Sequence, residues 1–264
     1  MRKSTLFWGI ILLAIGLLLL FSNLGIIVIE TWSAIWAVLL VVVGLAILWS
    51  AVSGPGPEGD EVAIPRDGAE RARIRLRHGA GRLRIGAGAG PDMLLEGRFA
   101  GGVSYRTRHR GGELDVDVSP PELLRFIAPW NWGREGMSWL VRLNDAIPLS
   151  LSVETGASDA RLDLSQLVVA DLDLEAGASS LRVKMPARGE HTKARIEAGA
   201  ASVSVDIPPE AAARLRLETG LASVQVDETR FPRTGRFFQS PEYEDAEYKI
   251  DLNVEAGVGS LTVR

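Results

Sequence analysis

Cysteine is absent from the 264 residues, so no disulfide, thiolate metal site or cysteine nucleophile can be built, and the redox state of the compartment leaves no mark. Histidine is scarce: His78, His109 and His191 are scattered, with neither HExxH nor HxH spacing, which argues against an imidazole metal site. No P-loop, dinucleotide fingerprint or nucleophile elbow occurs, and the GAGAG run at residues 86–90 reads as Gly/Ala low complexity at a strand end. Charge of one sign is not in excess. Lys and Arg total 29 against 33 Asp and Glu, interspersed and without an evident basic cluster, which offers no positive field to a phosphate backbone. These absences predict a chain that is not an enzyme, holds no cofactor or metal and binds no nucleic acid.

Long apolar runs are missing from most of the chain, but two occupy its first fifty residues. Residues 6–21 read LFWGIILLAIGLLLLF without a charge, and the apolar character continues to Ile29, enough to cross a hydrocarbon layer. A second uncharged run, residues 32–52, carries Trp32, Trp36 and Trp49 near its ends, where indole rings favour the membrane interface. Arg2 and Lys3 before the first run would also suit a secretory signal peptide, but no small-x-small cleavage site follows and a second span does. Gly9 and Gly16, seven apart, either allow a neighbouring helix to approach closely or are ordinary small residues of a membrane helix. The expectation is a two-helix transmembrane hairpin over residues 1–52. Positive charge at the amino terminus, against only Glu30 between the spans, places the N-terminus and the water-facing remainder in the cytoplasm. The Gly/Pro-rich acidic stretch 53–68 reads as a linker.

The remainder repeats one phrase. VETGASDARL begins at Val153, LEAGASSLRV at Leu174, IEAGAASVSV at Ile196, LETGLASVQV at Leu217 and VEAGVGSLTV at Val254. The glycines Gly156, Gly177, Gly199, Gly220 and Gly257 follow one another at steps of 21, 22, 21 and 37, the last holding an insertion at about residues 228–248. Residues alternate with period two on both sides of each glycine, so every copy reads as strand, tight corner, strand, with glycine expected to supply a positive φ at the corner. A unit of this length cannot stand alone. Ordering it costs about 1–2 kcal/mol per residue, and each buried aliphatic side chain returns only about 1.5–3 kcal/mol. Neighbouring copies must share a core, which predicts an all-β stacked solenoid with parallel pairing between equivalent strands over residues 147–264. A degenerate copy around Gly79, with two strands beginning at Met93 and Gly112, makes residues 69–146 an N-terminal β cap region.

Three surfaces are candidates for function. Glu154, Glu175, Glu197, Glu218 and Glu255 hold one position in successive copies, so stacking aligns five carboxylates about 4.8 Å apart. Such a stripe either docks a cation or a basic partner, or is a solvated row offset by Arg195 and Arg216. Trp130, Trp132 and Trp139 cluster in an aromatic segment that either meets a partner or bilayer or plugs the first rung. Phe231, Phe237 and Phe238 lie in the insertion, a second possible contact surface or a covering hairpin. His78 is expected at a solvent-facing turn. The last copy, ending at Val263, is expected to be an open rung that self-associates into a homo-oligomer or is covered by the insertion.

The two apolar segments resemble the LiaI/LiaF-like transmembrane region. The stretch IRLRHGAGRLRIGAGAGPDMLLEGRF resembles the N-terminal part of the toast-rack domain, and the E-[AT]-G-[AL] rungs resemble the LiaF-like C-terminal, adhesin-type β-solenoid. The resemblance implies a multi-pass protein of the bacterial cell membrane, linked to cell-envelope stress and restraining a membrane sensor kinase. It carries no catalytic motif. The other reading is an exported adhesin-like or envelope-structural module.

Overall fold

The computed structural model describes residues 59–121 and 138–264. The apolar runs, with the expected hairpin, and Trp130 and Trp132 lie outside the described residues.

The described residues belong to the unit Gly54–Arg264 and form an all-β structure. Its backbone is a series of long strands with alternating burial: β2 (Arg71–Ala87), β7 (Leu149–Asp163), β10 (His191–Asp206), β11 (Ala212–Val226) and β14 (Lys249–Val263). The Gly177 copy is split into β8 (Val169–Ala176) and β9 (Ser180–Lys184). The period-two pattern puts Ile74, Leu151, Leu172, Ala194 and Leu252 in the core and Arg, Asp or Lys between them outside.

These strands pair in parallel, phrase against phrase. Glu154 faces Glu175, Glu175 faces Glu197, Glu197 faces Glu255 and Glu255 faces Glu218. The order of rungs is not the order of the chain. β14 lies between β10 and β11, so the C-terminal copy is interior and the Leu217 copy is the outermost rung. The expectation of an open rung at the C-terminus is therefore corrected: β14 is paired on both sides along its length.

The corner glycines are also required for a different reason than expected. None of the six has a positive φ. What they provide is closeness. A Cβ on Gly156 would lie 2.4 Å from the Gly79 carbonyl oxygen, one on Gly257 2.7 Å from that of Gly199, and one on Gly220 2.9 Å from that of Gly257. The corners rest backbone on backbone, and any side chain would pry the rungs apart.

At the first-rung end each arm of β2 continues separately. Its first half pairs with β5 (Glu113–Ser119), itself paired with β4 (Ser104–Arg110). Its second half pairs with β6 (Ser138–Leu143), followed by β3 (Met93–Phe99) and β1 (Asp60–Pro65). β1 occupies part of the stretch read as linker, where the partly buried Val62 and buried Ile64 alternate with exposed Glu61, Ala63 and Pro65. β4, SYRTRHR, escaped the sequence reading because all seven residues are exposed and no apolar alternation marks it. With β2 it also forms the local concentration of arginines that the sequence reading overlooked: Arg71, Arg73, Arg75 and Arg77 on one strand, Arg106, Arg108 and Arg110 on the other. Glu113, Asp115 and Asp117 on the intervening β5 partly neutralise them, through Arg73–Glu113 at 3.0 Å and Arg75–Asp117 at 3.1 Å.

The insertion is a built cap. Its hairpin, β12 (Arg233–Thr234) and β13 (Phe237–Gln239), pairs with β11 only at Arg214 and Leu215. Phe231 and Tyr243 are buried beneath it. Arg230 donates to the carbonyls of Ile207 and Pro208 at 2.7 and 3.0 Å, tying the insertion to the crossing from β10 to β11.

Candidate functional site

The corners of the stack line a long open groove whose walls are the five glutamates and whose floor is the Ala-Gly or Thr-Gly steps beside them. The expected stripe is assembled, in the order Glu154, Glu175, Glu197, Glu255, Glu218. Arg77 of β2 stands opposite Glu154, so the row begins next to a cation. Arg195 sits between two of the carboxylates: its Nε is 2.7 Å from Glu197 Oε1 and its Nη2 is 3.1 Å from Glu255 Oε1. Arg216 does not act as its counterpart. Its guanidinium lies over the Phe237 ring, 5.0 Å from the centroid. Among the described residues no group of three or more His, Asp or Glu side chains converges closely enough to hold a metal ion. In-register stacking spreads the carboxylates along a line rather than around a point, so the groove suits an extended basic ligand better than a single cation.

The aromatic candidates separate. Trp139 is 1 % exposed and packs edge-on against Phe99 and His78, with centroids 5.0 and 5.2 Å away. It is a plug of the first rung, not a contact surface. His78 is buried with it, which corrects its placement at a solvent-facing turn. Phe231 is fully buried and likewise unavailable to a partner. Phe237 and Phe238 are half-buried, and Arg216 and Arg233 lie over their faces.

A constellation the sequence did not reveal joins the insertion to the stack. Asp251 of β14 accepts from Tyr243 Oη at 2.7 Å and lies 2.8 Å from His191 Nε2 of β10. Arg214 covers the Tyr243 ring at 4.3 Å and reaches Glu244 at 2.7 Å. Burial, followed by its hydrogen bond to the Asp251 carboxylate, pushes the Tyr243 phenol up to about 12. Tyr243 and Asp251 are 8 positions apart and His191 and Asp251 60, and only the parallel register brings His191 and Asp251 onto adjacent strands. Because Asp251 of the stack holds Tyr243 of the insertion, the cluster clamps the cap to the rungs.

Comparison with known proteins places this geometry. Residues 53–206 match the family described as the N-terminal domain of toast_rack, DUF2154. Residues 6–48 match the LiaI-LiaF-like transmembrane region, which indicates membrane association. The curated proteins yield no match. A solved structure, that of a candidate cell adhesion protein from Clostridium sporogenes, superposes with a TM-score of 0.70 at 21 % identity, covering 78 % of this chain and 98 % of that one. At that identity the likeness establishes a shared fold. None of these is an enzyme family. The stacked rungs and the family match together make the chain a member of the toast-rack family, with a LiaI-LiaF-like membrane region before its β domain.

Proposed function

We propose that this chain is a non-enzymatic scaffold, anchored by two membrane spans, whose rigid β stack docks on a membrane sensor kinase of the cell-envelope stress response and restrains it. The observation that carries the reading is the joining, on one chain, of a LiaI-LiaF-like membrane region to a stack whose corner groove presents five carboxylates in a line. Parallel strands in register make a stiff ruler, so charges repeat at a fixed spacing and fit a basic segment that is extended in the same way. With the N-terminus cytoplasmic, the stack faces the cytoplasm, where juxtamembrane basic segments of membrane proteins are concentrated.

The test is proximity crosslinking in native membranes, with a photoreactive residue at the exposed corner position 178 or 200 beside the groove, followed by mass spectrometry. Capture of a histidine kinase, lost when Glu175, Glu197 and Glu255 are changed to Gln, supports the reading. Retention of the kinase in the triple variant removes the groove from it, and crosslinks to wall polymer alone replace it with the second reading.

That second reading, an exported adhesin-like envelope module, is favoured by the fold shared with the Clostridium sporogenes protein. Topology separates the two. A fluorescent C-terminal fusion that matures, paired with an inactive alkaline phosphatase fusion, supports the cytoplasmic scaffold; the reverse pattern supports the exported module.

A further inference from the structure

The outermost rung is left unfinished. β11 is hydrogen-bonded to β14 on one side from Ala212 to Val226, but on its other side, among the described residues, only Ala213 to Leu215 are engaged, by Ser240 and β13. From Leu217 to Val226 the free backbone carries no Lys, Arg or Pro, the residues that usually blunt an exposed edge. The side chains are open as well. Leu221 is 84 %, Val258 54 % and Val224 42 % exposed, so three of the five exposed large apolar residues among those described lie at this one edge. Leu221 and Val258 are paired neighbours and form a continuous apolar ridge along the corner.

We infer that this edge is the dimer interface of the protein, and that its occupant is β11 of a second copy, paired antiparallel about a two-fold axis through the corner. The phrase itself selects this arrangement. Before the corner the core-facing residues of β11 are Leu215, Leu217 and Thr219; after it they are Ala222, Val224 and Val226, by equivalence with the buried positions of β10 and β14. A two-fold axis between Gly220 and Leu221 exchanges the two arms and keeps each inward face inward. Leu217 then faces Val224 of the second copy, Thr219 faces Ala222 and Glu218 faces Ser223. The adjoining outward position sets Arg216 toward Gln225, so no like charges meet. The two Leu221 side chains and the two Val258 side chains close into one apolar patch at the axis.

Closure as a dimer follows from the far end of the stack. There the two arms of β2 diverge onto different strands, and the edges they lead to are β4, with Arg106, Arg108 and Arg110, and β1, with Asp60, Glu61 and Pro65. A bent rung cannot continue across such an end, so head-to-tail growth is blocked and only the self-complementary contact remains. β13 limits the ladder on each side, leaving the eight residues Leu217 to Val224 of each copy. Such an interface is small by the standards of stable complexes, and confinement of two copies in one membrane raises their effective concentration enough to populate it. The inference rests on the membrane association and the edge geometry, not on the kinase reading.

The cysteine-free chain makes the test direct. In the full-length protein in native membranes, Leu221→Cys places two thiols beside the axis, with Cα atoms about 6 Å apart, within disulfide reach. Mild oxidation is expected to convert more than half of it to a disulfide-linked dimer, while Tyr105→Cys on the β4 edge stays monomeric. Co-expressed copies carrying Glu218→Cys and Ser223→Cys should link to each other, and Glu218→Cys alone should not link to itself. Adding Val224→Lys to Leu221→Cys should reduce the dimer at least tenfold with protease resistance of the stack unchanged. A monomeric Leu221→Cys, equal linking of Tyr105→Cys, linking of Glu218→Cys to itself, or linking of Leu221→Cys only to a different protein would each overturn the proposal. If Val224→Lys loses protease resistance, the Glu218/Ser223 pair decides alone.

Discussion

The same ten-residue phrase occurs inside the stack and at its edge, and the two environments treat it very differently. In β10 the residues Ile196 and Val203 are buried to within a few per cent, whereas the equivalent Leu217 and Val224 of β11 are half-buried and 42 % exposed. Nothing in the phrase changes enough to account for this. The difference is the presence of a rung on both sides or on one, so burial in a repeat protein belongs to position in the stack rather than to the copy.

The sharpest way to break the comparison is to cut the same side chain in both places. Leu174 and Leu217 occupy one repeat position, yet Leu174→Ala should cost about 2–5 kcal/mol and Leu217→Ala under half as much, read as unfolding free energies from denaturant titration of the full chain in detergent. Equal losses would mean that the edge is covered in the free protein. The corners give the next effect. Gly156→Ala drives a Cβ to 2.4 Å from a backbone oxygen, whereas at Gly199 the corresponding distance is 3.3 Å. A cost near the upper end of overpacking, about 3 kcal/mol, is expected for the first and about 1 kcal/mol for the second, measured by the same titration.

The clamp at the covered end of β11 titrates. Because burial and Asp251 raise the Tyr243 phenol from 10 to about 12 in the folded chain, its contribution is complete below about pH 10 and disappears as pH rises through about 12. Tyr243→Phe should lower stability by about 1.5 kcal/mol at pH 7 and flatten that alkaline limb of the stability–pH curve. At the uncovered end the expectation is close to nothing: Leu221→Ser should change monomer stability by less than about 0.5 kcal/mol, because its side chain touches little that could be lost. A larger loss would show that the corner ridge is already packed.

How far the sequence went is visible at particular residues. The period-two alternation around Gly177 and Gly199 gave the strands, and the identical spacing of Glu175 and Glu197 gave the parallel register, because a repeat too short to fold alone must stack on its like. β4 was not legible, since its burial comes from neither face, and neither was the Tyr243–Asp251–His191 clamp, whose members meet only through strand pairing. Trp139 and Phe231 each admit a core and a surface reading from the sequence, because aromatic residues serve cores and interfaces alike and composition does not distinguish the two; burial selects the core.

What the sequence determined by itself is the local unit: two short strands, a corner without a side chain and an outward carboxylate, written five times. The tertiary structure decided the order of those units. Because each copy offers nearly the same two faces, pairing energy alone hardly ranks one neighbour above another, and the slot between β10 and β11 is filled by β14 because the intervening insertion, fastened through Arg230 and Tyr243, brings the chain back to it. That choice, rather than any residue of the phrase, leaves the Leu217 copy at the open edge.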